Sequence, residues 1–89
     1  MKNLLNRKVE ETKMRIHMAL DYNKTMISEL PDEVVSKLNA MRSVTVFMYD
    51  AMPDMNAKPT CSYVKSALAY INYCNALLGF LRRHGGIAV

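Results

Sequence analysis

Residues able to do chemistry are few in this chain, and their spacing points away from catalysis. Glu10, Met14, His17 and Asp21 recur at helical intervals and share one face. A Glu, a His and an Asp in that order offer metal ligands. One helix supplies only part of a metal shell, however, and neither Glu-x-x-His nor His-Glu-x-x-His occurs. That face reads as solvated, with His17 and Asp21 as a surface pair, and no metal or cofactor is expected.

Nucleophilic chemistry is no better supplied. The only histidines are His17, among charges, and His84, beside two arginines and two glycines. Cys74 belongs to an apolar stripe, where a free thiol behaves as a small hydrophobe. Cys61 sits where a helix would begin, a place that can lower a thiol pKa, but no base accompanies it. The two cysteines share one predicted helix and lie roughly 20 Å apart at ~1.5 Å rise per residue, beyond disulfide reach. With three glycines, two of them adjacent at Gly85 and Gly86, there is no phosphate-cradling loop. No catalytic residue is expected.

Binding is the better prospect. Met14, Met18 and Tyr22 follow one another at i+4 steps on the charged side of the first predicted helix, with Arg15 at their rim. Eight methionines in 89 residues supply adaptable apolar side chains of the kind used at contact surfaces. This group is the expected partner-binding site. Ala69, Asn72, Ala76 and Gly79 form a strip of small residues on the last predicted helix and are the candidates for self-association. Lys2, Arg7 and Lys8 near one end, with Arg82 and Arg83 near the other, are the candidates for nucleic-acid contact. Glu10 and Glu11 follow the first basic group directly, so that reading is the weaker one.

The elements that must carry these residues are helical. Residues 61–84 hold the most apolar stretch, CSYVKSALAYINYCNALLGFLRRH. On a wheel, Val64, Ala67, Leu68, Ile71, Cys74, Leu78 and Leu81 share one face, with Tyr63, Tyr70 and Leu77 beside them and Tyr73 and Phe80 further round. A stripe this wide predicts a helix covered on two sides. Thr60 suits its N-cap, Arg82, Arg83 and His84 suit its negative end, and Gly85 and Gly86 supply a residue able to take a positive φ, with Ile87 folding back as a hydrophobic contact.

Over residues 3–29, Leu5, Val9, Thr12, Ile16, Ala19, Leu20, Asn23, Ile27 and Leu30 form a stripe at helical spacing without Gly or Pro inside, which predicts one helix of about seven turns. Leu30-Pro31 ends it, and Pro31 suits the first turn of the next helix, 31–52, with Asp32 and Glu33 at its positive end. There Val34, Leu38, Met41, Val44, Thr45, Met48 and Met52 form the expected buried face, flanked by Phe47, Ala40 and Ala51. The run Ser43–Tyr49 is rich in strand formers, yet the helical spacing continues through it. Residues 53–60 read as a loop.

These elements predict a single all-α domain over residues 1–89, an antiparallel three-helix bundle, with a helical hairpin that completes its core in a dimer as the alternative. The net charge of +4 comes entirely from residues 55–89, which hold four Lys/Arg and no acid. The start of the chain lacks a signal-peptide run and no stretch is long enough to span a membrane, so a cytoplasmic protein is expected. The expected function is a small non-enzymatic interaction module, an adaptor or inhibitor for a larger protein partner that also forms a homo-oligomer. Its size is that of many proteins carried by mobile elements. The alternatives are a nucleic-acid-associated protein and a purely self-assembling structural subunit.

Overall fold

The computed structural model describes residues 4–53 and 61–87. Within them the chain is all α-helical: α1 (Leu4–Tyr22), α2 (Lys24–Ser28), α3 (Asp32–Asp50) and α4 (Cys61–Arg83). The Thr60 cap, the loop after Pro53, Lys2 and the helix start at residue 3 lie outside the described residues.

The helix α4 is the centre, and α1 and α3 both pack against it. It buries Tyr63, Ala67, Tyr70, Cys74, Leu77, Leu78, Phe80 and Leu81, against four residues for α1 and two for α3. The buried arc is rotated by roughly a fifth of a turn from the wheel expectation, toward the tyrosines. Leu68, expected inside, is 49% exposed. The reason is that both neighbours seat on the same side of α4, on either side of Tyr70, and leave the Leu68 edge bare.

Two contacts fix the directions. Asn23, just past α1, hydrogen-bonds to Ile87, just past α4, so those helices run parallel. Lys37 near the start of α3 lies over the Phe80 ring near the end of α4, so α3 runs the other way.

The first predicted helix is interrupted at Asn23, which takes φ −95° and ψ 10°. Its side chain is the cause. The buried carboxamide donates to Ala19 O at 2.8 Å and to Ile87 O at 3.0 Å, and accepts from Ile87 N at 2.8 Å. It therefore pairs with a backbone peptide group as another peptide would. The short α2 ends in tight i+3 bonds from Glu29 and Leu30, just before the proline.

Pro31 is the N-cap of α3, not its first helical residue. Its ψ of 147° is extended, while its carbonyl accepts from Val34 N and Val35 N, both at 3.0 Å. Ser43–Tyr49 is helical. Its β-branched Thr45 is tolerated inside because the hydroxyl donates to Arg42 O at 2.6 Å, as Thr12 does to Lys8 O at 2.7 Å in α1.

The end of α4 is a Schellman turn. Gly85 has φ 97°, Gly86 N donates to Leu81 O at 2.8 Å, and Gly85 N to Arg82 O at 3.1 Å. Ile87 does not fold back as a hydrophobic contact: its side chain is 60% exposed, and its backbone is what Asn23 holds.

Candidate functional site: an exposed apolar line beside an interhelical groove

Because α1 and α3 both lean on α4, a groove of about 270 Å³ stays open between them. Ile16 and Leu20 of α1 and Val46 of α3 form apolar walls, and Tyr70 of α4 is the floor. Lys13, His17, Arg42 and Asp50 stand at its rim.

One end of the groove is closed by a polar clamp. The Tyr49 hydroxyl donates to the Glu10 carboxylate at 2.5 Å, and Lys13 Nζ lies 3.9 Å from the Tyr49 ring centroid. The Tyr49 and Tyr70 rings are 5.7 Å apart and tilted by 58°, a favourable aromatic arrangement. The bond to Glu10, followed by burial and the charges of Glu10 and Asp50, pushes the Tyr49 phenol up to about 12. Burial, then a hydrogen bond with Cys74, raises Tyr70 as well. Burial raises the Cys74 thiol, partly opposed by the bond to Tyr70, so the thiol stays protonated and unreactive near neutrality.

The residues expected to bind a partner lie next to this groove. Met14, Met18 and Tyr22 are 64%, 51% and 60% exposed, and Arg15 is exposed beside them. Lys13 and His17 line the groove on one side and border Met14 and Met18 on the other. The methionine line is therefore continuous with the groove's α1 wall.

The strip expected for self-association faces away from the other helices. Ala69, Asn72 and Ala76 are exposed, and a Cβ added at Gly79 would meet only the Arg83 side chain at 3.6 Å. No close helix approach requires that glycine. Of the candidate nucleic-acid residues, the described ones, Arg7, Lys8, Arg82 and Arg83, are not brought together. Arg7 and Lys8 lie roughly 24 Å up the α1 axis from Asn23, at the opposite end from Arg82 and Arg83.

Sequence reasoning missed one exposed feature. Phe47, expected to flank the buried face of α3, is 72% exposed, and Val44, expected inside, is 38% exposed. The face that meets α4 is Val34, Leu38, Met41, Thr45, Met48 and Met52. A second line, Ala40, Val44, Phe47 and Ala51, repeats at steps of four, three and four on the outside. That spacing was readable as a second stripe.

Among the described residues, no group of three or more His, Cys, Asp or Glu is placed to hold a metal ion. No helix among them is long and apolar enough to cross a membrane. Comparison with known proteins gives no matching family model, no matching curated protein and no matching solved structure.

Proposed function

We propose that this chain is a protein-interaction module, an adaptor or inhibitor that acts by docking on a larger protein. The observation that carries the reading is the line Met14, Met18 and Tyr22, more than half exposed at each position and opening onto the α1/α3 groove. An apolar line with polar neighbours is the surface a partner would desolvate, and methionine adapts its shape to what it meets. Arg15 supplies a polar anchor at the rim. The effect on the partner would be steric or conformational, with no bond made or broken. We place the module in the cytoplasm, where Cys61 and Cys74, free in the structure, stay reduced.

The test is a pull-down of the tagged chain from its own cells, in nuclease-treated lysate at moderately high salt. One stoichiometric protein partner is expected. The double substitution Met14→Glu and Met18→Glu should weaken its capture at least tenfold, the loss of a hot spot, while circular dichroism stays helical. Unchanged capture would remove these residues from the site. Recovery of nucleic acid alone, weakening steeply as salt rises, would favour the nucleic-acid reading instead.

A further inference from the structure

Arg42 is the cation of the α1/α3 groove with nothing to hold. It is exposed, lines the groove, and makes no ion pair among the described residues. Lys13, the other cation, is engaged: its Nζ lies over the Tyr49 ring at the opposite end. Asp50, the one carboxylate among the described lining residues, belongs to that end too. It follows Arg42 by eight residues on α3, roughly 12 Å along the axis. Arg42 also borders a second hollow, where Asn39, Ser43 and Val46 join it and no acid does. Asp21 of α1 lines neither hollow. An anion arriving at Arg42 therefore meets a free guanidinium, with an amide and a hydroxyl within one turn of it.

Behind Arg42 the groove is apolar. Ile16 and Leu20 face Val46 across it, and the floor is Tyr70, 2% exposed. The Tyr49 ring closes the far end, tilted by 58° to that of Tyr70. An aromatic ring seated there has aliphatic walls on both sides and tyrosine rings below it and at its end, contacts that reward a ring. The volume of about 270 Å³ lies just under the roughly 300–1,000 Å³ that drug-sized ligands occupy. One ring with a short arm is what fits.

We propose that the groove binds a small aromatic carboxylate, its ring on Tyr70 and its carboxylate on Arg42. A planar guanidinium meets both carboxylate oxygens at once, which a neutral amide cannot reproduce. An ammonium in the same place is repelled by Arg42, and Lys13 offsets the attraction of Asp50 at the other end. The site does not depend on the methionine line docking a partner.

Amide NMR of the purified, isotope-labelled chain tests this with probes of one shape: phenylacetate, phenylacetamide and phenethylammonium. Phenylacetate at millimolar concentration should shift the amides of Ile16, Leu20, Val46 and Tyr70. The neutral amide should bind at least tenfold more weakly, the loss of a charge-assisted pair, and the ammonium more weakly still. Arg42→Gln should bring phenylacetate down to the level of the amide. Val46→Trp, which fills the groove from a position 53% exposed, should abolish binding of all the probes. Both variants should keep wild-type helicity by circular dichroism. Shifts that avoid these residues, or that survive Arg42→Gln, overturn the proposal. So does an ammonium that binds as well as the acid. The absence of any shift overturns it too, and leaves the groove to the protein partner.

Discussion

The Asn23 side chain ties the end of α1 to the end of α4. Its carboxamide makes three hydrogen bonds and joins positions 64 residues apart. Asn23→Asp keeps the acceptor for Ile87 N but removes the donor to Ala19 O and Ile87 O, and sets an unpaired charge in a buried place. A loss of about 1–3 kcal/mol is expected, read from the urea midpoint. A midpoint within error of wild type would mean the latch is not closed in solution. The sequence placed Asn23 on the inward stripe, and that was right. Its task was hidden, because the group it binds is a backbone peptide at the far end of the chain, which no local pattern encodes.

Helix ends were legible because their signals are local. Gly85 and Gly86, Leu30-Pro31 and the acidic first turn of α3 each act on their nearest neighbours. The two glycines act differently. Gly85 is needed for its positive φ, whereas a Cβ on Gly86 would stand 2.8 Å from Leu81 O, a backbone atom that cannot swing away. Gly86→Ala should therefore open the end of α4 and release Ile87 from Asn23, seen as faster amide exchange at Gly86 and Ile87 than in wild type. Equal exchange would contradict the close approach. Helix faces were less legible. Both α3 and α4 carry apolar residues around more than one face, and periodicity alone does not choose which face a neighbour takes. Leu68, Val44 and Phe47 were misplaced for that one reason.

At the scale of the whole molecule, the all-α bundle was readable from three long periodic segments and short connections. The seating of the helices was not. The groove exists because α1 and α3 share one side of α4, and Tyr49 ties its walls through Glu10. That tie has a pH dependence whose sign is fixed. The folded state holds the phenol at about 12, above its ordinary 10.0, so it favours the neutral form. The stabilisation is complete below pH 10 and is lost as pH rises toward about 12. Burial raises Tyr63 and Tyr70 too, so they share the alkaline loss. Tyr49→Phe should make that loss shallower without abolishing it, as measured by urea midpoints below and above pH 10. An unchanged alkaline slope would show that the clamp does not hold the groove.

The helix on which α1 and α3 both rest is made after them. During synthesis α1 and α3 emerge first, each with a stripe that packs against α4 in the finished fold. At about 5–20 residues per second, the 23 residues of α4 take roughly 1–5 s to follow. For that interval Val9, Ile16, Ala19 and Leu38 are bare on a nascent chain, whereas in the finished fold they are at most 4% exposed. Ribosomes translating one message side by side would hold several such chains within reach of one another. The pace of translation through the codons for α4 is then a control on aggregation.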